Sequence, residues 1–326
     1  MKNILITGGA GFIGSHLVKH FVKKYPKYKI INIDKLTYAS NIKFLNELEN
    51  EKNYSFFKLD ICNFKALLKL FEKEKITDVI HLAAESHVDK SIESSIEFGK
   101  TNVLGTLNLL EAAKTNWKLN NNLFYHISTD EVFGTLNAKG KFDEKSRYDP
   151  HSPYSASKAG SDHFVRAFYD TYGLPVIISN CSNNFGPNQN KEKLIPTIIN
   201  NLIKDEKIPI YGDGKNVRDW LYVEDHIDAI DLIFHKGNRG ETYCIGGNNE
   251  YTNIDLTNKI ISTFLSITRK KINDLDGLIK FVKDRPGHDR RYAINIEKIK
   301  TKLNWKPKTK FQDGLTKTVN WYINNN

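Results

Sequence analysis

Two short stretches of the chain carry residue types that could do acid–base chemistry. The first, Ser128-Thr129-Asp130-Glu131, offers two hydroxyls and two adjacent carboxylates. It follows residues 123–127, whose apolar and aromatic side chains predict a buried strand. Because open α/β sheets bind ligands in the crevice at the carboxyl ends of their strands, this position predicts a site.

The second stretch begins at Pro153, which introduces a predicted helix bearing Tyr154 and Lys158. Side chains four residues apart share one face of a helix. A neighbouring ammonium favours the phenolate, so we expect the pKa of Tyr154 to fall toward working pH and the tyrosine to serve as a base. This spacing also occurs on ordinary surface helices, and its meaning depends on the motifs around it.

The first 24 residues are arranged as strand, glycine turn and helix. An apolar run over residues 3–7 precedes Gly8, Gly11 and Gly14, and residues 15–24 are amphipathic. Gly8 permits a tight turn, Gly11 lets the backbone approach a pyrophosphate, and Gly14 lets the helix pack closely on the strand. The N-terminus of that helix would face the phosphates.

The next predicted strand ends at Asp34, about 20 residues after the last glycine. Its carboxylate would accept hydrogen bonds from a ribose 2′-hydroxyl and repel a 2′-phosphate, which favours NAD over NADP. Asp60 and Ile61, after a third strand, would lie beside the adenine, and the small Ala83 and Ala84 after a fourth would leave room for the cofactor backbone. Ordinary core packing is the alternative for the two alanines.

Strand and helix signals alternate up to residue 185, which indicates right-handed parallel βαβ units. The predicted fold is therefore α/β, a Rossmann-type doubly wound parallel sheet with a smaller C-terminal α/β substrate domain. We predict an NAD-binding domain over residues 1–185 and a mainly substrate-binding domain over residues 186–326, with some later segments returning to the first domain.

The composition limits the compartment and the metal chemistry. No apolar run reaches the roughly 18 residues of a membrane span, and the chain leads straight into a strand, so we expect a cytoplasmic protein without a membrane partner. Cys62, Cys181 and Cys244 are far apart and lack metal-type spacing. They indicate reduced thiols and no bound metal.

The net charge of +10 and the pI near 9.2 raise the question of nucleic-acid binding. The lysines are scattered along the chain and interleaved with glutamates, which is typical of a solvated surface. We therefore expect no nucleic-acid partner and an anionic small-molecule substrate.

The glycine spacing, together with Tyr154 and Lys158, resembles the extended short-chain dehydrogenase/reductase family. Within it, segments along nearly the full chain resemble the dTDP-glucose 4,6-dehydratase family; they are residues 34–39, 83–89, 128–134, 154–158, 183–187, 216–226 and 285–292. The resemblance implies NAD as cofactor, dTDP-glucose as substrate, and a homodimer packed through long helices that include the one bearing Tyr154.

The resemblance also implies a reaction, dehydration of dTDP-glucose to dTDP-4-keto-6-deoxyglucose by an NAD-dependent hydro-lyase. Tyr154, tuned by Lys158, takes the proton of the 4-hydroxyl while C4 gives a hydride to NAD, and Thr129 hydrogen-bonds the same oxygen. Glu131 is the base at C5, and protonated Asp130 helps the 6-hydroxyl leave as water before the hydride returns to C6. The adjacent Glu131 should raise the pKa of Asp130.

The matching positions imply two further groups of residues. The expected NAD-binding residues are Gly8, Gly11, Phe12, Ile13, Gly14, Asp34, Lys35, Leu36, Thr37, Asp60, Ile61, Leu82, Ala83, Ala84, Thr101, Tyr154, Lys158 and Asn184. The expected substrate-binding residues are Ser86, Thr129, Asn183, Lys193, Leu194, Pro209, Tyr211, Arg218, Asn253 and His288. Arg218 is the strongest candidate for the diphosphate because guanidinium forms bidentate bonds to phosphate, although an ion pair with Asp219 or Asp225 is an alternative.

Other functions on this scaffold stay open at this point. They are another nucleotide-sugar dehydratase, a 4-epimerase, and, from a different class, a non-catalytic NAD-sensing protein. In related enzymes, epimerases tend to carry small non-acidic residues in place of Asp130 and Glu131, and GDP-mannose dehydratases tend to replace the aspartate with serine. The two adjacent carboxylates therefore favour dehydration of a dTDP-sugar, while the choice of thymine over uracil follows from resemblance alone.

Overall fold

The structure is a computed structural model that describes residues 2–118, 121–270 and 276–325. In those residues the strands are β1 (Asn3–Thr7), β2 (Lys29–Asp34), β3 (Tyr54–Lys58), β4 (Asp78–His81), β5 (Leu123–Thr129), β6 (Val176–Cys181), β7 (Asn183–Phe185), β8 (Ile208–Tyr211), β9 (Val217–Tyr222), β10 (Thr242–Ile245), β11 (Glu250–Thr252) and β12 (Ile279–Val282).

The helices alternate with these strands over most of the chain. In the described residues they are α1 (Phe12–Lys24), α2 (Phe64–Glu74), α3 (Val88–Glu93), α4 (Ser95–Phe98), α5 (Gly105–Asn116), α6 (Pro153–Tyr172), α7 (Leu194–Lys204), α8 (Val223–Lys236), α9 (Asn253–Thr268), α10 (Glu297–Leu303) and α11 (Phe311–Asn324). A π-helical turn, Gly99–Leu104, joins α4 to α5. None of these helices is both long and apolar enough to cross a bilayer.

The large sheet has seven parallel strands in the order β10-β6-β5-β4-β1-β2-β3. The chain moves outward from β1 to β3 in one direction and from β4 to β6 in the other, which creates a switch point between β1 and β4. This order is that of a doubly wound dinucleotide-binding sheet, so the predicted fold class is confirmed. Ligands of such sheets bind in the crevice at the switch point.

Side chains of the central strands alternate between two hydrophobic layers. On β1, Ile4 and Ile6 belong to one buried cluster and Leu5 to the other. The first layer includes Phe21 of α1 and Ile230 of α8, and the second contains residues of α2 and α5. All residues of β5 are buried, as expected for a central parallel strand covered by helices on both sides.

The later part of the chain adds two small sheets. One has the order β11-β9-β7 and the other pairs β12 with β8. One later strand, β10, lies at the edge of the large sheet beside β6. The predicted division at residue 185 stays a prediction, and residues 271–275 and 326 of the predicted second domain lie outside the described residues.

The limits of one predicted strand differ in the structure. The sequence predicts the sixth strand over residues 174–179, whereas β6 runs from Val176 to Cys181. These limits place Cys181 at the carboxyl end of the strand, where it lines the cavity described below.

Candidate active site

The glycine turn between β1 and α1 is closed by backbone contacts. Gly8 has a φ of +71°, and a Cβ there would lie 2.7 Å from the backbone of Ala83. A Cβ on Gly14 would lie 2.1 Å from the oxygen of Gly8, so both positions require glycine for the fold itself. A Cβ on Gly11 would meet only the Gly8 oxygen, at 3.2 Å. Gly11 therefore keeps open the space in front of the α1 N-terminus.

Asp34 ends β2 at the edge of the same crevice. Its Oδ2 accepts a hydrogen bond from the backbone N–H of Ala10 at 3.0 Å, and its Oδ1 accepts from the N–H of Leu36 and the hydroxyl of Ser40, both at 2.8 Å. Three donors around one side chain suit a carboxylate. The predicted acidic residue thus lies where the glycine turn meets the second strand.

One large cavity runs from the glycine turn to the end of β5. It is lined by all five predicted catalytic residues and by every predicted NAD-binding residue except Leu36, whose N–H contacts Asp34. Four predicted substrate residues also line it, namely Ser86, Thr129, Asn183 and Lys193. The other six predicted substrate residues do not line this cavity; they are Leu194, Pro209, Tyr211, Arg218, Asn253 and His288.

At the end of β5 the chain turns into a short 3₁₀ helix that holds Asp130 and Glu131. The Thr129 hydroxyl accepts a hydrogen bond from the Glu131 N–H at 3.2 Å and lies 3.4 Å from Oδ1 of Asp130. Asp130 is 1% exposed, and its Oδ2 has no partner among the described residues. Burial, followed by the charges of Glu131 and Asp219, raises its pKa well above the ordinary value. The expected protonated Asp130 is therefore supported by its environment.

Glu131 faces a different set of charges from those around Asp130. Burial raises its pKa, while Arg285, Lys193 and Arg218 oppose that shift. Lys193 reaches the site by donating from Nζ to the carbonyl of Ser86 at 2.7 Å. Arg218 also lowers the pKa of Asp130, so the cations that distinguish Glu131 are Arg285 and Lys193.

Tyr154 and Lys158 lie on the first turns of α6. The helix begins with a reciprocal capping box between Ser152 and Ser155 and has Pro153 at its first position, as the sequence predicted for its start. Both side chains line the cavity beside Thr129.

The predicted lowering of the Tyr154 pKa is wrong for the protein alone. Burial and the nearby Glu131 raise it well above its ordinary value, and a hydrogen bond with Thr129 only partly opposes them. Burial also lowers the pKa of Lys158, whose Nζ donates to the carbonyl of Ile127 at 2.9 Å. Helical spacing places the pair on one face, but it does not reveal how strongly desolvation penalises a phenolate.

Arg218 lies on β9 and is 5% exposed. Its Nη2 donates to the carbonyl of Asp289 at 2.9 Å, and its guanidinium lies 4.1 Å from the centre of the Tyr292 ring. It forms no ion pair with the other described residues, since Asp219 accepts from the N–H groups of Gly247 and Asn249, and Asp225 from those of residues 308 and 309. The alternative of a structural ion pair is therefore excluded.

The remaining predicted substrate residues come from several elements. Tyr211 donates to Asp89 at 3.0 Å, and its ring lies 6.3 Å from that of His288. Nδ1 of His288 lies 2.6 Å from Asp284. Asn253 begins α9, and its N–H donates to the carbonyl of Asn216 at 3.0 Å.

Sequence reasoning missed several polar residues of the cavity wall. Cys181 and Ser182 follow from the rule that ligands lie at strand ends, once β6 has its correct limits. Glu85 forms an ion pair with the predicted Lys35 at 3.1 Å. Others come from a loop that only tertiary packing brings across the crevice; they are Gln189, Asn190 and Glu192.

Comparison with known proteins decides the family. Residues 5–318 match the family model described as GDP-mannose 4,6 dehydratase. The dTDP-glucose 4,6-dehydratase of Haemophilus influenzae is 49% identical over 335 aligned residues, which cover 100% of this chain and 99% of that protein. The chain belongs to the dTDP-glucose 4,6-dehydratase family.

Solved structures of this family have the same fold. The dTDP-glucose 4,6-dehydratase of Bacillus anthracis, in complex with NAD, matches with a TM-score of 0.89 and 45% identity, covering 100% of this chain and 97% of that one. The enzyme of Streptomyces venezuelae, with NAD bound, matches with a TM-score of 0.92 and 40% identity over 99% of this chain and 97% of that one.

Proposed function

We propose that this protein dehydrates dTDP-glucose to dTDP-4-keto-6-deoxyglucose at the cavity that joins the glycine turn to the end of β5. The observation that carries the proposal is the buried, high-pKa Asp130 beside Glu131 and within the same cavity as Tyr154 and Lys158. An acid, a second carboxylate and a candidate base in one cavity are what removal of water next to a ketone requires.

The chain offers a fitting place for NAD. Gly11 leaves open the space at the α1 N-terminus, where N–H groups favour a pyrophosphate, and Asp34 lies at the end of the next strand for a ribose hydroxyl. When bound, NAD supplies the acceptor for the hydride of C4 and later the donor for C6. We propose that NAD is held by the predicted NAD-binding residues that line the cavity, and that Leu36 supports Asp34 through its backbone N–H.

Tyr154 is the proposed base for the 4-hydroxyl of the sugar. Its phenol needs a positive neighbour in order to ionise in so buried a position. We propose Lys158, one helical turn away on α6, as that neighbour. Thr129 hydrogen-bonds the same sugar oxygen in this proposal and so positions it toward Tyr154. The pair thus acts as base and electrostatic support.

Glu131 and Asp130 divide the elimination between them. Glu131, beside Lys193 and Arg285, can hold the negative charge of a base and takes the proton from C5 once C4 is a ketone. Asp130 keeps its proton in a dry pocket and gives it to the 6-hydroxyl as that group leaves. Glu131 then returns its proton to C5, and the net change is the loss of one water.

Arg218 is the proposed ligand of the substrate diphosphate. It is free of carboxylate partners among the described residues and offers a guanidinium to phosphate oxygens. The other proposed substrate contacts, including Tyr211, Asn253 and His288, come from β8, from α9 and from the loop after β12, beyond the wall of the main cavity.

The experiment that tests the function uses purified protein and dTDP-glucose without added reductant, with UDP-glucose as a matched comparator. We expect a dTDP-sugar product lighter by one water and no net NADH. A product of unchanged mass that separates as an isomer would instead identify a 4-epimerase. Water loss from UDP-glucose in preference to dTDP-glucose would identify a different nucleotide-sugar dehydratase.

A homodimer and a cytoplasmic location are further parts of the proposal. Exposed apolar side chains lie on α6 and on segments that pack against it, among them Ile96, Leu104, Phe164 and Tyr172. Such a patch on long helices is typical of a subunit interface. The three cysteines are free thiols, which fits a reducing compartment. Sedimentation equilibrium should give twice the chain mass, and Phe164→Asp should lower it toward one chain.

A further inference from the structure

Asp162 is a buried carboxylate beneath the proposed catalytic pair. It lies one helical turn beyond Lys158 on α6, and its side chain is 0% exposed. An ionised carboxylate in such a position is costly unless donors and a countercharge surround it. The contacts around Asp162 therefore indicate what it does.

One oxygen of Asp162 is held by uncharged donors. Its Oδ2 accepts from the hydroxyl of Ser128 at 2.8 Å, from that of Tyr148 at 2.7 Å and from the amide of Asn180 at 3.3 Å. Tyr148 itself accepts from Nη2 of Arg166 at 2.9 Å. These donors come from β5, β6 and the segment before α6, so the carboxylate is fixed from several elements.

The other oxygen faces the active site. Oδ1 of Asp162 lies 3.0 Å from Nε2 of His126, and the same nitrogen lies 3.5 Å from Nζ of Lys158. Burial lowers the pKa of His126 to about 4, so this imidazole is neutral at working pH. The carboxylate and the ammonium thus both lie next to one nitrogen of a neutral ring.

Asp162 and Lys158 each favour the charged form of the other. Burial raises the pKa of Asp162, but the hydrogen bond with His126, the charge of Lys158 and the Tyr148 hydroxyl bring it below its ordinary value. Burial lowers the pKa of Lys158, and Asp162 is the largest influence that opposes this. 

The other titratable groups around the pair do not supply this countercharge. His81 on β4 has a pKa well below its ordinary value because of burial, so it is uncharged. Burial raises the pKa of Cys181 on β6 to about 12, and it raises that of Tyr154 on α6 as well, so both are protonated in the protein alone.

We propose that Asp162 is the counter-ion that keeps Lys158 charged in this dry site and thereby sets the base strength of Tyr154. Asp162 is not among the residues that line the cavity, so it is a positioning residue that acts through Lys158. The inference rests on the proposed roles of Tyr154 and Lys158. It adds a buried anion to the pair and explains why a lysine can remain an ammonium there.

Asp162→Asn removes the charge and keeps the shape. Its amide oxygen can accept from Ser128 and Tyr148, while its NH₂ group can donate to the neutral His126. Tyr148→Phe is the matched control, because it removes one hydrogen bond from the same carboxylate and leaves the charge in place. Asp162→Ser gives a second uncharged variant if the asparagine variant does not fold.

The readout is the pH profile of kcat/KM for dTDP-glucose. Without Asp162, Lys158 should lose its proton at lower pH, so the alkaline limb moves down by about one to three pH units. The acidic limb moves up, because a weaker positive charge favours the Tyr154 phenolate less. The Tyr148→Phe variant should keep both limbs in place.

Calorimetric titration with NAD in the absence of substrate gives a second readout, since Lys158 is also a proposed cofactor contact. Its affinity should begin to fall at lower pH in Asp162→Asn than in the wild type. Uniformly lower activity and affinity with unmoved limbs would reduce Asp162 to a packing role and overturn the proposal. If the wild type does not dehydrate dTDP-glucose, the proposed function fails, and the calorimetric profile alone decides the role of Asp162.

Discussion

Two aspartates lie at the same edge of the large sheet and have opposite surroundings. Asp34, at the end of β2, accepts three hydrogen bonds at 3.0 Å or less. Asp130, just beyond β5, has one contact at 3.4 Å and an oxygen without a partner among the described residues. The donors around Asp34 suit a hydrogen-bond acceptor for a ribose, and the burial of Asp130 suits a neutral acid.

The environments of Asp34 and Asp130 differ because one is formed by nearby residues and the other by tertiary packing. Ala10, Leu36 and Ser40 are near Asp34 in sequence or in the adjoining glycine turn, and they orient their donors as soon as β1 and β2 pair. The environment of Asp130 depends on Glu131 beside it and on Asp219, which arrives from β9. Strand ends supply the position of a carboxylate, whereas tertiary burial decides its protonation.

The largest effect should follow from removing the acid. Asp130→Asn retains a donor of similar shape but cannot give up a proton, so water loss should slow by about 10²- to 10⁴-fold. Oxidation at C4 should survive, and NADH absorbance should therefore build up on mixing with dTDP-glucose in a stopped-flow instrument. Elimination at the wild-type rate would remove Asp130 from the acid role.

Changing the other aspartate should affect binding more than chemistry. Asp34→Asn weakens the charge-assisted acceptor for the ribose, which should lower NAD affinity by about 10- to 100-fold, as measured by calorimetry. The loss in affinity should exceed the loss in kcat at saturating NAD. Accumulation of an oxidised sugar by the Asp34→Asn variant would contradict the assignment of Asp34 to binding and of Asp130 to chemistry.

The glycine turn separates fold from binding within the cofactor half. Gly14→Ala places a Cβ 2.1 Å from the Gly8 oxygen, so the free energy of unfolding should fall by about 1–3 kcal/mol in chemical denaturation. In Gly11→Ala the new Cβ would lie 3.2 Å from the Gly8 oxygen, so this variant should lose less stability than Gly14→Ala. Its NAD affinity should nevertheless fall. Equal destabilisation of both variants with unchanged NAD binding would contradict this assignment of the turn.

The smallest effect concerns stability and pH. Above the unfolded pKa of about 3.9, native Asp130 still holds a proton that the unfolded chain has released, so its contribution to stability falls as pH rises toward its raised native pKa. Asp130→Asn should therefore melt higher than the wild type at pH 7 and lose this advantage near pH 4, as followed by calorimetric melting. An equal difference at both values would contradict the raised pKa.

Local patterns predicted the cofactor half of the site well. The glycine spacing, the acid at the end of β2 and the capped start of α6 are properties of contiguous residues, and the structure places them as expected. Local patterns predicted less of the site where its residues are far apart in sequence. The raised pKa of Tyr154 follows from its burial, which includes contact with Val88 and Phe98, and from the charge of Glu131, and no spacing within α6 reveals it. The same holds for the loop bearing Glu192, which crosses the crevice only after folding.

The central claim is that one site oxidises C4, removes water and reduces C6 of the same sugar. The most direct measurement supplies dTDP-glucose carrying deuterium at C4 and locates the label in the product by NMR. The account predicts that the deuterium is retained at C6 of a product that has lost one water. Deuterium still bound at C4, or lost from the product with NADH accumulating, would contradict it.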